Sequence, residues 1–173
     1  IREAQPNAAH QALAELEREG IMRHTISQNI DNLHRAAGQE LLTEIHGNFR
    51  WVRCIDCHRR WPSDEFAPEQ MPPLCPTCAG LVKSDVVDFG EPIPPSALRE
   101  CDRVAGLTDC MLLIGTTGMV YPAAGYAIEA YRAGAMLIEL NPEPTALSEY
   151  CEVAVRGPAG EVLPALVERV RGL

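Results

Sequence analysis

Apolar and polar positions along the chain follow two periods that alternate. Ala9, Ala12, Leu13 and Leu16 recur at helical spacing, from a first turn suited to Pro6 to a stop at Gly20. Ile21 to Ser27 then reads as a short strand, and Leu41, Thr43 and Ile45, alternating with Leu42 and Glu44, as a second that ends on His46-Gly47. Ser96 to Ala105 predicts a helix with Leu98, Cys101 and Ala105 inward and Gly106 at its end. Cys110 to Ile114 is an uninterrupted apolar run, the pattern of a central parallel strand covered on both faces. Pro122 to Ala133 predicts the next helix, terminated by Gly134, and Ala135 to Leu140 a strand ending at Asn141. Val153 to Arg156 is a last strand, and the Gly157-Pro158-Ala159-Gly160 turn leads into a helix with Leu163, Leu166, Val167 and Val170 on one face. Strands alternating with helices place the chain in the α/β class, as a doubly wound Rossmann-like parallel sheet.

Between Phe49 and Lys83 the helical period disappears and Arg, Trp, Pro and Cys take over. Cys54-Ile55-Asp56-Cys57 is followed by 17 residues and then by Cys75-Pro76-Thr77-Cys78. Two paired Cys-x-x-Cys knuckles at this separation match one structural zinc ion held by Cys54, Cys57, Cys75 and Cys78. Four thiolates close the coordination, leaving no position for a reactive water, so the metal acts as a staple. Cys54 to His58 also fits a c-type haem attachment, a reading that leaves Cys75 and Cys78 without a role. His58 is then a solvated ribbon residue, Trp51 and Trp61 pack against the ribbon, and Gly80 supplies the tight turn of the second knuckle. The expected organisation is a Rossmann-like first part over 1–47, a zinc ribbon over 48–84 and a Rossmann-like second part over 85–173.

Totals narrow the function class. The chain has 173 residues, 46% hydrophobic and 23% charged, enough for one domain with a small inserted module, and no apolar run long enough to span a bilayer. A net charge of −9 argues against general nucleic-acid or anionic-membrane binding. Seven cysteines, with Cys101, Cys110 and Cys151 in apolar surroundings, point to a reducing cytoplasm. Residue 1 is isoleucine and leads within a few positions into a helix, so the chain is expected to begin in mid-domain.

Candidate chemistry lies at strand ends. Gln28-Asn29-Ile30-Asp31-Asn32-Leu33-His34 follows the first strand, where open α/β sheets bind ligands, against the alternative that Asn29 or Asp31 merely caps the next helix. His46 ends the second strand; histidine titrates near pH ~6.5, and Gly47 beside it allows close approach, against a purely structural role for the same residue. Val86 to Glu91 is extended and held from continuing by Pro92, Pro94 and Pro95, so it could pair with a peptide laid alongside. Gly115-Thr116-Thr117-Gly118, between a buried strand and a helix, is placed to hold ribose or phosphate, and no Gly-x-Gly-x-x-Gly occurs.

Taken in order, Gln28 to His34, His46-Gly47, the four cysteines, Phe89-Gly90-Glu91, Gly115-Thr116-Thr117 with Tyr121 to Ala124, and Asn141 resemble the sirtuins, NAD-dependent protein lysine deacylases. The resemblance spans essentially the whole chain. It implies that NAD and an acyl-lysine peptide meet between the Rossmann-like part and the zinc ribbon. The acyl oxygen attacks the nicotinamide ribose, nicotinamide leaves, and the acyl group ends on ADP-ribose. His46 would be the general base, with Asn29 also catalytic. Gln28 and Asn29 would bind the nicotinamide ribose, Asp31 the carboxamide, Gly115, Thr116 and Thr117 phosphate and ribose, Asn141 the adenine side, and Ala159 the neighbourhood of the ring. The peptide would run as a strand between Val87, Phe89, Gly90 and Glu91 on one side and Met119 and Val120 on the other.

The chain departs from the pattern at Thr117, where serine is commoner, at Gly118, usually aliphatic, and at Asp88, often aromatic. The family's N-terminal Gly-Ala-Gly and Asp-Phe-Arg segment has no counterpart in these 173 residues, which implies little activity for this stretch alone. Two other classes remain: a non-catalytic zinc-ribbon module that binds peptide, and an NAD hydrolase or ADP-ribosyl transferase on the same scaffold. His46 weighs against the first; Phe89-Gly90-Glu91 and the zinc ribbon weigh against the second.

Overall fold

The computed structural model describes residues 3–172. Along the chain come α1 (Ala8–Arg18), β1 (Thr25–Ser27), α2 (Leu33–Ala36), β2 (Leu42–Glu44), β3 (Gly47–Cys54), β4 (Arg60–Pro62) and β5 (Val82–Val86). The second part continues with α3 (Pro95–Leu107), β6 (Cys110–Ile114), α4 (Ala123–Arg132), β7 (Met136–Leu140), β8 (Val153–Val155) and α5 (Ala159–Arg171).

Helix α1 begins at Ala8, two positions later than Pro6 suggests, because Asn7 caps it. Its Oδ1 accepts the amides of Ala9 and His10, satisfying donors that the first turn leaves open. Gly20, at φ +71°, closes the helix in the left-handed conformation that glycine adopts without strain. Ala9, Ala12, Leu13 and Leu16 then bury themselves against Leu140 of β7 and Leu163 and Val167 of α5. Each such leucine or valine contributes ~1.5–3 kcal/mol over its exposed state.

Two parallel ladders form the α/β part: β1 with β2, and β6 with β7 and β8. Among the described residues β1 pairs only with β2 and β6 only with β7, and a groove of about 1050 Å³ lies along Ile26 of β1 and Leu112 of β6. Consequently β6 is not covered on both faces: of its five residues only Leu113 is buried, since the groove occupies one flank. Helix α3 runs past Gly106 to Leu107, because nothing forces a left-handed residue there, and Thr108 ends it in extended conformation.

The ribbon is an antiparallel sheet in the order β4-β3-β5. Trp61 packs with Phe66 against Cys54, Cys75 and Val82, while Trp51 lies half out under the Arg60 guanidinium, 5.1 Å from the ring centre. Gly47 also meets a steric requirement within the fold. At φ +79° its missing Cβ would stand 2.1 Å from the Asp85 carbonyl oxygen, so only glycine lets β3 cross β5 here.

Candidate active site and zinc centre

The C-terminal ends of β1, β2, β6 and β7 converge. Ile45, completely buried against Cys101, Ala105 and Tyr126, donates its amide to the Ser27 carbonyl at 3.0 Å and so carries β2 alongside β1 as far as His46. His46 Nδ1 lies 3.1 Å from the Gln28 carbonyl oxygen. A carbonyl only accepts, so Nδ1 is the donor, and in the unprotonated ring the lone pair is on Nε2. The Gln28 side chain points the other way and donates to Thr116 Oγ1 at 3.2 Å, linking the β1 end to the loop after β6. Asn141, beyond β7, donates to the Thr116 carbonyl at 2.7 Å. One chain of contacts thus joins His46, Gln28, Thr116 and Asn141.

Gln28, Asn29, Gly115, Thr116, Thr117 and Ala159 all line the groove between the two ladders. His46, Asp31 and Asn141 lie outside that lining, though His46 is bonded to Gln28 and Asn141 to Thr116. Asp31 does cap: its Oδ1 accepts the Leu33 amide at 3.0 Å. Asn29 exposes its side chain and gives its amide to Ser27 Oγ. Gly118, at φ +68°, has Leu147 Cγ 2.7 Å from where a Cβ would sit, which accounts for glycine at this position.

The segment after β5 is anchored to the base. Val87 donates its amide to the His46 carbonyl at 2.9 Å. Phe89 is fully exposed, and Met119 and Val120 are exposed as well. Glu91 is turned inward, with Arg53 on Oε1 and Lys83, at 2.6 Å, on Oε2. The Lys83 and Asp88 contacts, with Arg53 behind them, hold its carboxyl down to about 2.

Two supports escape sequence reasoning. Asn48, 2% exposed, gives Nδ2 to Asn32 Oδ1 at 2.8 Å and to Glu44 Oε1 at 2.6 Å, fixing the left-handed Asn32 in the Gln28–Asn32 loop. Glu139, 1% exposed on β7, accepts from Thr145 and Ser148 and pairs with Arg156, so it ties down the loop that follows Asn141. Neither stands out in the sequence, because a lone Asn or Glu carries no pattern that announces burial.

At the ribbon's tip the Sγ atoms of Cys54, Cys57, Cys75 and Cys78 all lie within 4.8 Å of one another, with Cys54 to Cys78 at 3.5 Å and Cys57 to Cys75 at 3.7 Å. A tetrahedron with ~2.3 Å zinc–sulfur bonds has edges of about 3.8 Å, so the four thiols match a zinc ion. The amides of Cys57 and Thr77 point at the Cys54 and Cys75 sulfurs, at 3.5 and 3.4 Å, stabilising thiolates. Burial opposes ionisation of Cys75, but the Thr77 and Cys78 amides outweigh it and hold the thiol down to about 6. Cys78 moves up to about 12 despite the Gly80 amide, because its neighbours crowd it with sulfur. Thiols this close ionise together only around a cation. The left-handed turn residues of the knuckles are His58 and Ala79, at φ 58° and 59°. Gly80 leaves space instead: a Cβ there would crowd the Asp56 carboxylate at 2.2 Å and the buried Cys54 Sγ at 3.0 Å.

A two-ladder α/β body with polar strand ends facing a groove, a histidine of fixed tautomer and a four-thiol ribbon define a nucleotide-site protein with a structural metal module. The chain belongs to the Sir2 family, whose model matches residues 1–122. It is 45% identical over 171 residues to the NAD-dependent protein deacylase 2 of Pyrobaculum aerophilum, covering 99% of this chain and 68% of the relative. A solved Sir2 homologue in complex with NAD is 39% identical, with a TM-score of 0.92 over 98% of this chain and 66% of that one. A solved Sir2 complex with a p53 peptide and NAD+ is 30% identical, with a TM-score of 0.89 over 99% of this chain and 73% of that one. Among the described residues no helix is long and apolar enough to cross a membrane.

Proposed function

We propose that this protein removes acetyl or other acyl groups from protein lysine in an NAD-dependent reaction that yields nicotinamide and O-acyl-ADP-ribose. NAD, when bound, supplies the ribose carbon that accepts the acyl oxygen and the hydroxyl that finally carries the acyl group. His46 takes a proton from a ribose hydroxyl at Nε2, and its Nδ1 bond to Gln28 stabilises the imidazolium that results. Gln28 and Asn29 hold the nicotinamide ribose, and Asp31 uses the oxygen not engaged by Leu33 for the carboxamide. Gly115, Thr116 and Thr117 take phosphate and ribose, while Asn141 and Ala159 take the adenine side. The acyl-lysine peptide runs along Val87, Phe89 and Gly90, with Met119 and Val120 opposite. Cys54, Cys57, Cys75 and Cys78 hold one zinc ion that keeps the ribbon folded. Residues 48–84 act as that ribbon, inserted between nucleotide-binding parts 1–47 and 85–173. Four cysteines on zinc and three left as thiols, Cys101, Cys110 and Cys151, fit a reducing cytoplasm.

The observation that carries this reading is the Nδ1–carbonyl bond to Gln28, which leaves His46 Nε2 as a lone pair, while the side chain of the same Gln28 reaches Thr116 in the groove. The test is an assay of the full-length protein with NAD and an acetyl-lysine peptide. Nicotinamide and free lysine should appear one for one. NAD cleavage without peptide would indicate a hydrolase instead.

A further inference from the structure

The turn after β5 is tied to the ribbon by an unusual number of charges. Glu91 donates its amide to the Asp88 carbonyl at 2.9 Å, closing the turn Asp88-Phe89-Gly90-Glu91. Its own carboxylate then folds back: Oε2 accepts the Asp88 amide at 3.1 Å and the Lys83 ammonium at 2.6 Å, while Oε1 accepts from the Arg53 guanidinium. Arg53 also pairs with Asp85 at 3.0 Å, and Asp85 with Arg60 at 2.6 Å. Both Glu91 oxygens are therefore occupied within the protein. Isolated exposed ion pairs contribute little, but Glu91, Arg53 and Asp85 are 23, 16 and 15% exposed and their donors converge on one acceptor.

Arg53 and Lys83 are register partners on β3 and β5, and Arg53 adjoins Cys54 in the zinc cluster. On the other side of the turn, Val87 is bonded to the His46 backbone. The turn is thus suspended between the ribbon and the base. Phe89, carried at its tip, makes no buried contact of its own, so its position depends on how the turn is held.

We propose that Glu91 is a positioning residue: its carboxylate latches the turn Asp88–Glu91 onto Arg53 and Lys83 of the zinc ribbon and so fixes the backbone edge along which the acyl-lysine peptide pairs. Glu91 then affects substrate without touching it. The proposal deepens the deacylase reading and rests on it for the nature of the substrate. The latch itself can be examined without any substrate.

The test combines amide hydrogen exchange with steady-state kinetics on full-length wild-type, Glu91→Gln and Lys83→Met proteins. Losing a charge-assisted acceptor should speed exchange at the Asp88 and Glu91 amides by ~10-fold. The peptide KM should rise by about the same ~10-fold, while kcat, the KM for NAD and the zinc content stay within about twofold of wild type. Lys83→Met leaves Glu91 itself intact but removes the ammonium that holds both Glu91 and the Asp88 side chain, and should act in the same direction. Unchanged exchange, or a rise in peptide KM without faster exchange, would overturn the latch; the second result would mean that Glu91 meets the peptide directly. Loss of zinc and of NAD binding together would also overturn it, by making Glu91 a general fold residue. If wild type shows no NAD-dependent deacylation, the functional reading fails and exchange alone decides the latch.

Discussion

His46 and Gln28 share a 3.1 Å hydrogen bond from the imidazole Nδ1 to a backbone carbonyl, not to the glutamine side chain. Truncating Gln28 therefore leaves the tautomer of His46 in place and removes the contact to Thr116 together with the proposed contact to the nicotinamide ribose. In Gln28→Ala the KM for NAD should rise by ~10-fold with kcat falling much less, as for loss of a ground-state contact. Steady-state kinetics with NAD varied at saturating peptide would measure this. A collapse of kcat with KM unchanged would show that the side chain serves the base after all.

The ribbon should stand or fall with its metal. Cys57→Ser or Cys75→Ser removes one of four ligands at the only cysteine cluster among the described residues, and metal binding in such modules is coupled to folding. Metal analysis of freshly purified protein should give one zinc per wild-type chain and close to none in either variant, with poorer solubility. Zinc retained in both variants would contradict the four-thiolate assignment.

Two glycines after β6, Gly118 and Gly125, should respond to alanine in opposite ways. Gly118→Ala meets both a left-handed backbone and Leu147, and should destabilise by ~1–3 kcal/mol. Gly125, inside α4, has only Tyr121 ring carbons at 3.8 Å from a new Cβ, an ordinary contact. Gly125→Ala should stabilise by about 0.4–1 kcal/mol through helix propensity and a less flexible unfolded chain. Urea unfolding of the two variants would check the signs.

Glu139 gives a pH test. Burial works to raise its pKa, but the Thr145 and Ser148 hydroxyls and Arg156 outweigh it and hold the carboxyl below its ordinary range. A carboxylate lowered on folding contributes stability above its unfolded pKa of ~4.3, and that contribution is lost as pH falls through the folded value. Glu139→Gln should therefore cost about 1.5–3 kcal/mol at neutral pH, with the gap to wild type narrowing progressively below about pH 4. A gap constant from neutral pH to about pH 3 would refute the ionised network.

What the sequence reveals is what local spacing dictates. Helix α1 and the four cysteines are legible because one period, or one knuckle, fixes them without reference to distant residues. The exposure of β6 is not, because burial depends on what lies beside a strand, and here a groove does. Gly47 and Gly80 are legible as glycines but not in purpose: the reasons are Asp85 and Asp56, brought close only by folding. Asn48 and Glu139 are illegible for a similar reason, since their partners Asn32, Thr145 and Arg156 become neighbours only in the folded chain. Glu91 shows the converse, a residue picked out by its motif whose side-chain partners, Lys83 and the Asp88 amide, no local pattern announces.

The most direct test of the account is the rate at which full-length wild-type and His46→Ala proteins release nicotinamide and deacetylated peptide from NAD and an acetyl-lysine peptide. General-base catalysis predicts that His46→Ala lowers turnover ~100- to 10,000-fold, with zinc content and thermal unfolding unchanged. Near-normal turnover in a folded, zinc-loaded His46→Ala protein would contradict it.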